Sequence, residues 1–284
     1  MAVVGLLVHH AHEDAARLAR DASAWLLERG HEVRLPEKDA AVTGLDEHAC
    51  PTALLTKGLD LAVSLGGDGT MLRTVDLVAD DDIPVLGVNL GHLGYLTEVE
   101  PTHLHDALDR FFTGRFGVER RMRMAVAVES REIDSGVRPA LNEAVLSKTP
   151  TGQIARMLVT VDGERFTTYS ADGLIVATPT GSTAYAWSAG GPLVAPSHEA
   201  LLLTPVAAHM LFDRSLVLSP TACIRIEVVD DRPADLSVDG RSLGILQQGD
   251  AIVCTAAPNP ARFVTFGTHS FLDILKAKFG LAER

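Results

Sequence analysis

The residues with the clearest chemical capacity are Gly66-Gly67-Asp68-Gly69-Thr70, a glycine-rich turn that carries one carboxylate. It stands between the apolar run Leu61-Ala62-Val63-Ser64-Leu65 and a segment with helical spacing. Glycine admits backbone angles closed to other residues and lets peptide N–H groups come close to a ligand, while a helix start offers the positive end of its dipole to phosphate. Gly66, Gly67, Gly69 and Thr70 are therefore candidate phosphate-binding residues. Asp68 is the odd member, because a carboxylate facing phosphate is repelled unless it holds a metal ion or accepts a proton from an attacking hydroxyl. Both roles belong to phosphoryl transfer, and Asp68 is the candidate catalytic residue.

A second group lies further along. Ser170-Ala171-Asp172-Gly173 leads into Thr178-Pro179-Thr180-Gly181-Ser182-Thr183-Ala184-Tyr185-Ala186-Trp187-Ser188-Ala189-Gly190-Gly191-Pro192. Hydroxyls and peptide groups at this density suit recognition of a sugar and base, although a Ser/Thr-rich connection capping a helix from about Thr183 has the same composition. Asn142-Glu143 precedes a strand, and with Asp68 and Asp172 it supplies carboxylate and amide groups expected to converge on a cleft between domains. His9, His10 and His12 lack the companions of a metal site and read as loop residues over a sheet edge; no residue is assigned as a metal ligand. Glu119-Arg120-Arg121-Met122-Arg123 is open between a solvated hinge and part of a polyphosphate site.

The elements that must position these groups follow from periodicity. Val3–Val8, Val33 with Leu35, Leu61–Leu65 and Ile83–Val88 read as strands. Helical spacing recurs at Ala15–Leu26, Met71–Ala79 and Leu104–Phe111, with Gly30 and Asp80-Asp81-Asp82 as breaks; residues 40–58 give no clear pattern. Alternating strand and helix imply a Rossmann-like α/β domain with a parallel sheet over residues 1–120, with ligands at the carboxyl ends of its strands. After residue 121 strand follows strand, and Val161-Asp162-Gly163-Glu164 and Val238-Asp239-Gly240-Arg241 read as hairpin turns. A predominantly β, sandwich-like domain is expected over 121–266, with 267–284 as a C-terminal segment returning to the first.

Several function classes drop out. There is no Gly-x-x-x-x-Gly-Lys-Ser/Thr loop, and the first strand ends in histidines rather than Gly-x-Gly-x-x-Gly. A net charge of −12 over 284 residues argues against nucleic acid as a partner, and no apolar run is long enough to span a bilayer. Met1–Val8 lacks the basic flank of a leader, and Cys50, Cys223 and Cys254 suggest no disulfide framework, so a reducing cytoplasm is expected.

Taken in order, the Gly66–Thr70 turn, Asn89-Leu90-Gly91-His92-Leu93-Gly94-Tyr95-Leu96, Asn142-Glu143, Asp172-Gly173-Leu174 and Thr180–Tyr185 with Ser188-Ala189-Gly190-Gly191-Pro192 resemble the NAD kinase family. The resemblance implies ATP-dependent phosphorylation of the adenosine ribose 2′-hydroxyl of NAD, with Mg²⁺ accompanying ATP, and leaves open whether inorganic polyphosphate can replace ATP as donor. It implies that Asp68 accepts the hydroxyl proton with Gly69 and Arg73 beside it. It also implies that Asn142, Glu143, Arg156, Asp172, Thr183, Ala184, Tyr185, Ser188 and Asp239 contact NAD, and that the protein is a homodimer or homotetramer. The rival readings are a lipid kinase sharing the glycine-aspartate turn and a non-catalytic NADP(H) sensor.

Overall fold

The computed structural model describes residues 1–91, 94–149, 154–268 and 270–281. The chain forms two compact units, Met1–Arg120 together with the segment from Ala261 onward, and Arg121–Pro260.

The first unit alternates β1 (Val3–Val8), α1 (Glu13–Glu28), β2 (Glu32–Pro36), α2 (Glu37–Thr43), β3 (Ala49–Cys50), β4 (Leu61–Gly66), α3 (Asp68–Val78), β5 (Pro84–Asn89), α4 (Leu104–Phe112) and β6 (Gly117–Arg121). Every residue of β4 is buried, as expected of a central strand covered on both faces. α1 turns Ala15, Ala19, Ala22 and Leu26 into the core beneath it. β3 through β5 take the order β3-β2-β1-β4-β5 and pair in parallel. The chain runs outward from β1 to β3, then returns to the other side of β1 to place β4. The carboxyl ends of β1 and β4 thus flank the point where strand order reverses, the usual ligand position in an open α/β sheet.

The second unit contains β7 (Met124–Glu129), β8 (Val137–Ala140), β9 (Glu143–Lys148), β10 (Ala155–Val161), β11 (Glu164–Ala171), β12 (Gly173–Ala177), α5 (Tyr185–Ser188), β13 (Leu201–Val206), β14 (Leu216–Leu218), β15 (Ile224–Val228), β16 (Ala234–Val238), β17 (Arg241–Leu246) and β18 (Ala251–Ala256). Two antiparallel sheets, β11-β10-β15-β18-β7-β8 and β14-β13-β12-β9-β16-β17, share one core that includes Val126, Met157 and Ile226 from the first and Leu146, Leu174 and Leu236 from the second. This is the expected sandwich. Both expected hairpin turns are present, with Asp162, Gly163, Asp239 and Gly240 all at positive φ.

Two expectations change. The chain re-enters the first unit at Ala261, ahead of residue 267, because β19 (Ala261–Thr265) pairs in parallel with β5, Arg262 against Pro84 and Phe263 against Val85. α6 (Phe271–Phe279) follows, started by a capping box between Ser270 and Asp273. The basic run at 119–123 spans the boundary between the two units, but it is not the solvated segment expected of a hinge. Glu119 to Arg121 lie in β6, Arg121 and Arg123 are buried, and the Arg123 guanidinium donates through Nε to the Asn259 carbonyl at 2.9 Å.

Candidate functional site

In the first unit the glycine turn joins a strand to a helix, as its flanking sequence predicts. β4 ends at Gly66, Gly67 is the N-cap of α3, and Asp68 is the first helical residue. A Cβ at Gly66 would collide with the Thr70 side chain, so the sharp strand-to-helix turn requires glycine there. Gly67 and Gly69 differ: a Cβ at either would meet nothing within 4 Å. Their faces are open, and a cavity of about 480 Å³ lies against them. It is walled by Val8 to His12 after β1, by Gly67, Gly69, Thr70 and Arg73, and by Asn89 to Gly91 after β5. Peptide N–H groups, the positive end of α3 and a row of imidazoles therefore surround one space.

Asp68 is held apart from that wall. Its Oδ2 accepts the Tyr95 N–H at 3.0 Å and its Oδ1 accepts the Leu96 N–H at 3.1 Å. Gly94 makes this approach practicable, since a Cβ there would strike the Asp68 carboxylate. Each carboxylate oxygen keeps lone-pair capacity beyond its one backbone donor, so the group is fixed in direction yet able to accept a further proton. The neighbouring Tyr95 phenol is shifted above its ordinary pKa by burial and then by the Asp68 charge, and the Lys278 ammonium lies 4.5 Å from its ring centroid. His92 and Leu93 of the same sequence motif lie outside the described residues.

Arg73, on the same helix as Asp68, is tied to α2 and β1. Its guanidinium donates to Asp39 Oδ1 and Oδ2, both at 2.8 Å, and to the Val8 carbonyl at 2.7 Å. Asp39, on α2, is fully buried, also accepts the Val8 N–H at 2.9 Å, and lies 2.6 Å from His10 Nε2. The sequence hides Asp39 because Glu37-Lys38-Asp39 reads as ordinary helix-surface charge.

In the second unit, most of the expected residues meet around one bend. The Asp239 carboxylate accepts the backbone N–H groups of Leu141, Asn142 and Glu143 at 2.7, 2.8 and 3.0 Å. It therefore sets the path of the Asn142-Glu143 segment. From the other side, the Thr178 N–H donates to the Asn142 carbonyl at 2.9 Å, and Gly181 sits so close to that carbonyl that no Cβ fits. A single helical turn, Thr180–Thr183, then leads into α5, where Ala186 packs into the sheet and Tyr185, Trp187 and Ser188 face outward. Thr183 and Ala184 are half-buried at the junction.

Glu143 is the electrostatically unusual member. Burial, and next the Asp239 charge, push its pKa up to about 7 against the opposing pull of a hydrogen bond from the Tyr185 N–H. Two residues stand apart from this bend. Asp172 links β11 and β12 and pairs with Lys148 Nζ at 2.8 Å, while Arg156 is exposed on β10 of the other sheet, in register with Ser170. Among the described residues no group of three or more His, Cys, Asp or Glu is arranged to hold a metal ion.

A parallel α/β sheet with an open cavity at its reversal point, and a carboxylate directed by backbone N–H groups at the start of the adjoining helix, is an arrangement suited to a phosphotransferase. Comparison with known proteins gives the family. Residues 4–116 match the ATP-NAD kinase N-terminal domain and residues 141–266 the ATP-NAD kinase C-terminal domain. The chain is 38% identical to the NAD kinase of Syntrophotalea carbinolica, covering 99% of both chains, and 39% identical to NAD kinase 2 of Streptomyces avermitilis, covering 98% of this chain and 94% of that one. Among solved structures, yeast NADH kinase complexed with NADH aligns with a TM-score of 0.92 at 26% identity, over 100% of this chain and 89% of that one. An NAD kinase from Archaeoglobus fulgidus in complex with ATP aligns at 0.74 and 25% identity, over 99% and 98%. The protein belongs to the NAD kinase family.

Proposed function

We propose that this NAD kinase family member transfers the terminal phosphoryl group of ATP to the 2′-hydroxyl of the adenosine ribose of NAD, giving NADP and releasing ADP. The observation that carries the mechanism is the Asp68 carboxylate, aimed by the Tyr95 and Leu96 N–H groups at the start of α3. Asp68 accepts the hydroxyl proton as the ribose oxygen attacks phosphorus. Gly66, Gly67, Gly69 and Thr70 hold the donor phosphates with the positive end of α3 behind them. Mg²⁺ arrives as part of the MgATP substrate, where it neutralises triphosphate charge; such ions keep several waters and need few protein ligands.

Asn142, Glu143, Thr183, Ala184, Tyr185 and Ser188 hold NAD. Asp239 acts through the backbone it anchors, and Gly69, Arg73, Asp172 and Arg156 complete the set that the family resemblance supplies. The outward Tyr185 ring offers a face for a base, and the buried Glu143 carboxyl accepts from a ribose hydroxyl in its ionised form. The protein works in the cytoplasm as a homodimer or homotetramer, a reading supported by the family resemblance and by the free Cys50, Cys223 and Cys254. Among the described residues no helix is long and apolar enough to cross a membrane.

The test is incubation of the pure protein with NAD, ATP and Mg²⁺, and separately with diacylglycerol in place of NAD. NADP as product supports the proposal. Phosphorylated lipid identifies a lipid kinase, and tight dinucleotide binding without product identifies a sensor.

A further inference from the structure

We propose that His9, His10 and His12 form an imidazole cradle for the linear phosphate chain of the donor, and that Asp39 is the positioning residue that fixes it. The inference rests on the reading that the space beside Gly67 and Gly69 takes the phosphoryl donor.

All three histidines lie in the loop that leaves β1, at the reversal point of the sheet, and all three line the cavity that the glycine turn opens onto. The rings of His9 and His12 are 4.4 Å apart between centroids. His10 is held from below: its Nε2 lies 2.6 Å from Asp39 Oδ1 and 2.9 Å from Arg73 Nη1, so the opposite ring edge is the one free to turn outward. Asp39 is out of reach of solvent and its charge is met by the bidentate Arg73. The charged groups nearest the imidazoles are Asp39 on α2 and Arg73 on α3, which pair with each other, and Glu13 and Asp14 in the first turn of α1 directly after His12.

The wall that results is built from imidazoles and N–H donors, in a chain whose net charge is −12. A linear polyphosphate is the chemistry that suits it, because several adjacent anionic groups can each take a separate donor. The state of His9 agrees: burial lowers its pKa first, and His12, His10 and Arg73 lower it further by charge repulsion. An anion among these groups relieves that repulsion, so binding is accompanied by proton uptake.

The experiment uses the full chain and inorganic tripolyphosphate as the probe. Titration calorimetry at pH 7 in buffers of different ionisation enthalpy reads affinity and proton uptake together. Steady-state assays read KM for MgATP and for NAD. In a His9→Gln/His12→Gln double variant, tripolyphosphate affinity is expected to fall about tenfold with loss of proton uptake. KM for MgATP should rise by a similar factor, and KM for NAD should stay within about twofold. Asp39→Asn should show the same split. Because that buried change threatens folding, the loop double variant, with no buried partner to lose, keeps the test decisive.

Unchanged tripolyphosphate affinity and MgATP KM in the double variant overturn the cradle, as does a rise confined to KM for NAD. If the wild-type protein binds tripolyphosphate through the histidines but makes no NADP, the donor reading falls while the cradle stands. Long-chain inorganic polyphosphate against ATP, each as sole donor with NAD, identifies which source of the phosphate chain the cradle serves.

Discussion

Glu143→Gln is the perturbation whose effect can be worked through most fully. The folded-state pKa is raised from 4.5 to about 7, first by burial and then by the Asp239 charge. The folded protein therefore holds this proton more tightly than the unfolded chain. Stability from this group is fully present below about pH 4.5 and is lost as pH rises toward about 7, with no further change above. At 1.36 kcal/mol per unit, the linkage over pH 5 to 8 amounts to about 2 to 3 kcal/mol. Glutamine keeps the shape and removes the charge, so the variant should lack this part of the decline. Trp187 lies in the second unit, and a Trp25→Phe background makes its fluorescence the reporter of that unit alone. Urea titrations of parent and variant at pH 5, 6, 7 and 8 give the comparison. Parallel stability curves would refute the raised pKa of the buried Glu143.

Four glycine substitutions separate ligand space from packing. At Gly67, alanine meets no protein atom, so folding should change by less than about 0.5 kcal/mol while KM for MgATP rises about tenfold. Gly69→Ala lies inside α3 and should stabilise by about 0.5 to 1 kcal/mol, with the same loss of donor affinity. Gly181→Ala forces a Cβ onto the Asn142 carbonyl; a thermal melt should show about 1 to 3 kcal/mol of destabilisation, with a rise in KM for NAD. Gly94→Ala pushes on the Asp68 carboxylate and should lower kcat about tenfold or more with KM for both substrates little changed.

What the sequence made legible was local. The β4–turn–α3 unit could be read because an apolar run, glycine spacing and helical periodicity adjoin one another. The Asp162-Gly163 and Asp239-Gly240 hairpins could be read because both central positions demand positive φ. What stayed hidden depends on distant partners. β19 looks like one more strand of the second domain until β5 is seen to pair with it. Arg123 looks like a solvated cation, yet it is buried and reaches the Asn259 carbonyl. Asp39 reads as surface charge until Arg73, Val8 and His10 close around it. The anchoring of residues 141–143 by the Asp239 carboxylate was hidden as well, because the two segments lie almost a hundred residues apart. Such arrangements leave no periodic trace, because each pairs one residue with another far away in the chain.

The central claim is that Asp68 takes the ribose hydroxyl proton, and single-turnover formation of NADP by Asp68→Asn tests it most directly. Asparagine can still receive one of the two N–H bonds from Tyr95 and Leu96 through its carbonyl oxygen, so folding should survive, as a thermal melt would record. With NAD and MgATP saturating, the account predicts a rate lowered about 10²- to 10⁴-fold, with binding of both substrates retained. A folded Asp68→Asn protein that makes NADP at close to the parent rate would contradict it.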